Sequence, residues 1–199
     1  MKKILFASFN KHKLAEVGAI LSDLCQVSSP SSVGYDTEPV EDAPTLEGNA
    51  LIKARALYSH SRVPCLADDT GLEVEALNGA PGVRSARYAG EDHNDKANRA
   101  KLLSQLSAIN CSRRARFRTV LAYIDEEGKE YLFEGRVEGH IAQEERGNGG
   151  FGYDAVFIPE GGRQTFAEMT EQEKNSMSHR ARAVQAFACF LHEREHGKS

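Results

Sequence analysis

A chain of 199 residues, 40% hydrophobic and 27% charged, is long enough to bury a sizeable core and sets one α/β domain, or a domain with an added lobe, as the expectation. Its net charge of -4, from 25 basic and 29 acidic residues, argues against a general nucleic-acid binder, so an anionic ligand would need a local basic site. Cys25, Cys65, Cys111 and Cys189 form no C-x-x-C pair, which argues against a zinc site or a disulfide framework and for reduced thiols in the cytoplasm. No apolar stretch approaches the roughly 20 residues that a membrane span needs. The apolar run after Met1-Lys2-Lys3 breaks at Asn10-Lys11-His12-Lys13, too early for an export signal.

The continuous apolar run over residues 3–8 predicts a buried first strand. Leu14, Val17, Ile20 and Leu21 then recur at helical spacing and predict a helix over 11–24. The turn Ser8-Phe9-Asn10-Lys11-His12-Lys13 therefore joins a strand end to a helix N-terminus, where backbone N–H groups and two lysines favour an anion; a plain basic turn fits equally well. Residues 27–44 carry Ser, Pro, Gly and the acids Glu38, Glu41 and Asp42, and predict a loop with one short strand at most. Thr45 is a candidate N-cap for a helix whose apolar stripe is Leu46, Ala50, Leu51, Ala54, Leu57 and Tyr58. Asn49 and Lys53, four apart, share a different face of it.

Pro64-Cys65-Leu66-Ala67-Asp68-Asp69-Thr70-Gly71-Leu72 predicts a buried strand that delivers two adjacent carboxylates at its end. Like charges side by side are relieved by a divalent cation, a basic group or a shared proton, so the pair suggests Mg²⁺ and a general base; a solvated Asp-Asp turn is the plainer alternative. Residues 72–77 fit a strand or one helical turn, 78–82 form a turn, and Arg84, Arg87 and Tyr88 follow in a loop. A further helix is expected over 92–106. Residues 117–124 and 131–137 are rich in strand formers around the turn Asp125-Glu126-Glu127-Gly128-Lys129, which predicts a hairpin, with 137–141 continuing the antiparallel half. Parallel and antiparallel halves together predict a mixed α/β sheet with flanking helices, two lobes and a cleft between them.

Gly147-Asn148-Gly149-Gly150-Phe151-Gly152-Tyr153-Asp154 combines glycines, which admit close backbone approach, with two aromatics that offer a stacking face, ahead of a strand over 155–158. Lys174 and then Ser178-His179-Arg180 precede the amphipathic stripe Val184, Phe187, Ala188 and Leu191 of a C-terminal helix. A basic pair at a helix start opposes the helix dipole, so an anion is expected to stabilise it. Acids for a cation, lysines and an arginine for phosphates and an aromatic for a base together describe a nucleotide site.

On these motifs the chain resembles the Ham1/RdgB family of inosine triphosphate pyrophosphatases. The resemblance rests on Ser8-x-Asn10-x-x-Lys13, Thr45-x-x-x-Asn49-Ala50-x-x-Lys53-Ala54, Ala67-Asp68-Asp69-Thr70-Gly71-Leu72 and Gly79-Ala80-Pro81-Gly82 through Ser85-Ala86-Arg87-Tyr88. It continues in Gly149-Gly150-Phe151-Gly152-Tyr153-Asp154 and in Lys174 with Ser178-His179-Arg180. It implies one domain over 1–199, a homodimer without nucleic-acid or membrane partners, and Mg²⁺-dependent hydrolysis of ITP, dITP, XTP or dXTP to the monophosphate and pyrophosphate. By the same resemblance Asp69 is the general base and a metal ligand, helped by Asp68 and Glu41, while Lys13, Lys53 and Lys174 meet phosphates. Ser8, Phe9, Asn10, Lys11, His12, Thr70, Phe151, Gly152, Tyr153, Asp154, His179 and Arg180 complete the pocket, with Phe151 stacked on the purine and Arg180 near its 6-oxo group. The chain departs from the family pattern at Ser8 (usually Thr), Ala155 (usually Pro) and Gly48 (usually Glu). The Maf-like nucleotide pyrophosphatases and a non-catalytic nucleotide-binding module are the alternatives; Phe151 to Asp154 and Ser178-His179-Arg180 argue against the first, and the Asp68-Asp69 pair against the second.

Overall fold

The computed structural model describes residues 2–197. Its strands are β1 (Lys2–Phe6), β2 (Cys25–Ser28), β3 (Cys65–Val74), β4 (Pro81–Gly82), β5 (Arg114–Ile124), β6 (Glu130–Ile141) and β7 (Phe157–Pro159). The helices are α1 (Lys11–Leu21), α2 (Leu46–Ser61), α3 (Asp95–Ser107), α4 (Glu171–Met177) and α5 (His179–His196). The sheet runs β2-β1-β3-β5-β6-β7, with β4 paired to β3. β1 lies parallel to β2 and to β3, whereas β3–β4 and β6–β7 are antiparallel, so the expected mixed α/β sheet is present. Among the described residues, no helix is long and apolar enough to cross a membrane.

By its contacts the chain divides into two compact units, one of Met1–Asp69, Thr119–Gly135 and His179–Ser199, the other of Thr70–Arg118 and Arg136–Ser178. Each has its own core. In the first, Ile4, Phe6 and Leu66 of the parallel strands meet Val17 and Leu21 of α1 and Val184 and Phe187 of α5, and Tyr123 packs its ring 4.9 Å from that of Phe187. In the second, Leu72 and Val74 meet Leu102 and Leu106 of α3 and the ring cluster Phe117, Phe157 and Phe166.

Several boundaries differ from expectation for local reasons. α1 stops at Leu21, because residues 25–28 are needed as the partner strand of β1. The acid pair does not end its strand: β3 continues through Thr70 to Val74, because Leu72 and Glu73 pair with β4. Residues 72–77 are strand and helical turn in succession, since a 3₁₀ turn over Glu75–Leu77 follows Val74 at once. The last strand starts at Phe157 instead of Ala155, after turns that Asp154 and Val156 close back onto Phe151 and Tyr153. α4 is an unexpected short helix, held by a reciprocal cap between Thr170 and Glu173.

Candidate functional site

In the first unit the parallel pairing of β1 and β3 sets the geometry. Phe6 is in register with Leu66 and the Ala7 amide donates to the Leu66 carbonyl at 2.7 Å, so the chain leaves β1 beside the segment that carries Asp68. The turn then caps α1. Ser8 Oγ accepts from the Asn10 amide at 3.2 Å, and Asn10 Oδ1 accepts from the His12 and Lys13 amides at 3.0 and 3.2 Å. Two of the N-terminal donors expected to meet an anion are thus satisfied by the cap itself. Lys11, His12 and Phe9 remain exposed on the same turn.

Lys13 points the other way, its Nζ 3.3 Å from Asp68 Oδ1. The second oxygen of Asp68 accepts from Arg180 Nε at 3.0 Å, and Arg180 Nη1 reaches Glu16 at 2.5 Å. Asp68 and Arg180 are each only 1% exposed, so this is a buried network in which every charge is answered. Burial alone would favour the neutral acid, but Lys13, Arg180 and Lys53 outweigh it and hold the Asp68 carboxyl well below the usual range. Burial also lowers Lys13, the stronger influence there despite Asp68. The anion expected to stabilise the basic start of α5 is therefore the chain's own: Arg180 is held by Asp68 and Glu16.

Asp69 is different. Its Oδ2 is buried without a hydrogen-bond partner among the described residues, and Lys53 Nζ lies 3.8 Å from Oδ1. Burial pushes its pKa up to about 6 against the pull of Lys53 and Lys13, with Glu41 and Asp68 adding to the rise. Lys53 Nζ also lies 2.8 Å from Glu41 Oε1, so Glu41 and Asp69 gather around one positive centre. Burial works against the charge on Lys53, but Asp69, Asp68 and Glu41 more than compensate and raise its pKa.

Of the three acids expected to hold a cation, Asp68 fits least, since lysine and arginine already occupy both its oxygens, and Asp69 fits best. Among the described residues there is no cluster of three or more His, Cys, Asp or Glu side chains placed to hold a metal. Asn49, on the face shared with Lys53, is buried and accepts from the Ala43 amide at 3.0 Å, which ties the segment carrying Glu41 to α2. Gly48 leaves room for that segment, because a Cβ at its position would lie 2.6 Å from the Ala43 Cβ.

The second unit holds Thr70, Phe151, Gly152, Tyr153, Asp154 and Lys174. Lys174, expected to meet a phosphate, is 4% exposed and turned to Asp154, its Nζ 2.7 Å from Oδ2 and 4.7 Å from the centre of the Phe151 ring. The same Asp154 oxygen accepts from the Phe151 amide at 3.1 Å. Gly150, at φ +67, admits this closeness, since a Cβ there would lie 2.2 Å from Asp154 Oδ2. Tyr153 faces inward and donates to the Ser85 carbonyl at 2.7 Å, so of the two aromatics in the loop Phe151 is the more open to a ligand.

Sequence reasoning missed Glu16, Asp95 and Arg99. Glu16 is one polar residue on the amphipathic α1, and its partner lies 164 positions away, a separation that no local pattern encodes.

A parallel β-α-β frame with buried lysines and an arginine around paired carboxylates belongs to the α/β proteins that handle polyphosphates. Within that class the chain belongs to the Ham1 family, whose sequence profile matches residues 4–190. It is 53% identical over 191 residues to a Porphyromonas gingivalis protein named dITP/XTP pyrophosphatase, spanning 96% of this chain and 98% of that one. It is 44% identical over 189 residues to a protein of the same name from Flavobacterium psychrophilum, spanning 95% and 98%. Among solved structures, the HAM1 protein of Coxiella burnetii superposes with a TM-score of 0.88 at 39% identity, covering 97% of this chain and all (100%) of that one. The Staphylococcus aureus Ham1 protein gives 0.86 at 37% identity, with the same coverage.

Proposed function

We propose that this chain is a nucleoside triphosphate pyrophosphatase that opens the anhydride between the α- and β-phosphates of non-canonical purine triphosphates, dITP, ITP, XTP and dXTP, releasing pyrophosphate and the monophosphate. The observation that carries the proposal is Asp69, a buried carboxylate with one oxygen lacking a hydrogen-bond partner and a pKa lifted to about 6. Such a group is ionised at neutral pH yet basic enough to take a proton from water. The names of the relatives at up to 53% identity support the substrate class.

Asp69 and Glu41 are the residues that would hold a divalent cation, Mg²⁺ in this proposal. Bound there, the ion would polarise phosphoryl oxygens and neutralise charge on the triphosphate. Asp69 removes the proton from the attacking water. Lys13 and Lys53, each beside an acid of the pair, meet the phosphates, together with the 8–13 turn and Thr70. Phe151 stacks on the purine, while Asp154 and Lys174 hold its ring and amide in place. Arg180, fixed by Asp68 and Glu16, and His179 complete recognition of the 6-oxo purine. Donors aimed at a 6-oxo group are left opposed by the amino group of adenine, and buried unmet donors are costly, so ATP is rejected. The chain acts as one catalytic domain, as a homodimer and in the cytoplasm.

The test is pyrophosphate release from dITP, ITP, XTP, GTP and ATP with Mg²⁺, beside Asp69→Asn. Release from the 6-oxo non-canonical purines, near absence with ATP and GTP, and loss in the variant are expected. No pyrophosphate from any of the five would overturn the proposal.

A further inference from the structure

The loop that carries Phe151 is gripped by α3 at a single residue, through the two peptide groups that flank it. Asp95 Oδ2 accepts from the Gly152 amide at 2.9 Å, and Arg99 Nη1 donates to the Gly152 carbonyl at 2.7 Å. The two side chains stand four apart on one helix face, so both polar groups of Gly152 are met by charged partners on one rigid element. Arg99 is itself steadied by Glu145, at 2.7 Å from its Nε. Gly152 sits at φ +59, in the left-handed region, with open space where a Cβ would be. Its conformation is therefore set by what holds its backbone and not by side-chain packing.

From this geometry we infer that Asp95 and Arg99 are positioning residues for purine recognition: they fix the peptide groups on both sides of the Gly152 Cα and so set where the Phe151 ring meets the base. The inference rests on the proposed function for the identity of the ligand. Asp154 and Lys174 hold Phe151 from the C-terminal side of the loop, and the α3 pair supplies the opposing hold. With only one of the two, the ring could swing about the glycines on either side of it. Misplacement of a binding group by even ~1 Å costs up to about 100-fold in rate where orientation matters. Both side chains are engaged by the Gly152 backbone and Glu145, so on the proposed function the loss falls on the base and spares the phosphates.

The test compares Asp95→Ala and Arg99→Met with the conservative Asp95→Asn, which keeps an oxygen acceptor, and with wild type. Four quantities are read: KM and kcat for dITP, competitive inhibition of dITP hydrolysis by inorganic tripolyphosphate, which has no base, and amide hydrogen exchange at residues 150–154. Expected for Asp95→Ala and Arg99→Met are a rise in KM of about tenfold, the equivalent of one broken charged hydrogen bond, with a smaller change in kcat. Inhibition by tripolyphosphate stays at the wild-type value, the Gly152 amide loses protection in Asp95→Ala, and Asp95→Asn restores most of the KM. An unchanged KM overturns the inference, as does a tripolyphosphate constant weakened by the same factor, which would mark general damage. If Asp95→Ala fails to fold, Arg99→Met decides alone, since that side chain is only partly buried and Met keeps its aliphatic stem. Wild-type protein inert toward dITP would defeat the proposed function; Gly152 exchange unchanged in Asp95→Ala would defeat the grip itself.

Discussion

Replacing Arg180 with Met keeps much of the side-chain volume and removes the charge, leaving Asp68 and Glu16 to face each other across a buried space. In the native protein Arg180 Nε and Nη1 answer both carboxylates, at 3.0 and 2.5 Å. Removing one member of a buried charge network costs about 3–5 kcal/mol, because the surviving charge stays buried and unanswered. For a protein of this size each kcal/mol lowers Tm by roughly 2–4 °C, so Arg180→Met should melt roughly 6–20 °C below wild type. Lys13 still faces Asp68 at 3.3 Å, which places the expectation toward the lower half of that range.

Adding Asp68→Asn to Arg180→Met removes one of the stranded charges, so the double variant should be more stable than the sum of the singles by about 0.5–3 kcal/mol. The pH dependence has a definite sign. The Asp68 pKa is depressed on folding, so its stabilisation is present above the unfolded value of about 3.9 and vanishes as pH falls through the lower folded value. The deficit of Arg180→Met should therefore be full at pH 7 and shrink in acid. Denaturant titrations of the four proteins at pH 7 and in acid provide the check. A loss below about 1 kcal/mol with an additive cycle would refute the claim that the network is closed and buried.

Gly135 is a second stability test, because a Cβ there would lie 2.1 Å from the His179 carbonyl oxygen and 2.4 Å from the Ala183 amide nitrogen. Gly135→Ala should cost at least about 1–3 kcal/mol, measured by thermal melting. Gly48→Glu should destabilise through the Ala43 contact unless Ala43 is changed to Gly alongside it; paired melts of the single and double variants decide. Cys65 donates to the Ala54 carbonyl, and burial pushes its thiol up to about 12. It should resist iodoacetamide at pH 8 while exposed Cys111 and Cys189 alkylate, as read by peptide mass spectrometry. Lys174→Met leaves Asp154 buried without its cation and should raise KM for dITP more than it lowers kcat, in steady-state assays.

Local patterning made most of the fold legible. The stripe over Leu14 to Leu21, the cap at Thr45 and the turn at 125–129 lie where periodicity and turn chemistry placed them, because each is fixed by neighbours within a few residues. Element ends were less legible where a distant partner decides them. β3 runs past the acid pair because β4 offers it hydrogen bonds, and Asp-Asp followed by Thr-Gly reads as a turn only when that partner is ignored. The same limit applies at the site. Asp68, Asp69, Lys13, Lys53 and Arg180 could be named from motifs, but which carboxylate the arginine would occupy depends on a contact spanning 112 positions. Asp95 and Arg99 gave no signal at all, since a charged pair four apart on a helix looks like solvation until the carbonyl and amide of Gly152 are seen between them.

The order in which the segments leave the ribosome gives the division into units a temporal meaning. The second unit is complete in sequence at Ser178, whereas the first still lacks everything from His179 onward. Until that stretch emerges, Ile4, Leu66 and Tyr123 have no Val184 or Phe187 to pack against, and Asp68 lacks Arg180. Synthesis thus delivers the Phe151 loop and its supports first, while the half bearing the acid pair waits for its last helix. A released chain truncated after Ser178 should show a protease-resistant second unit and a protease-sensitive first one.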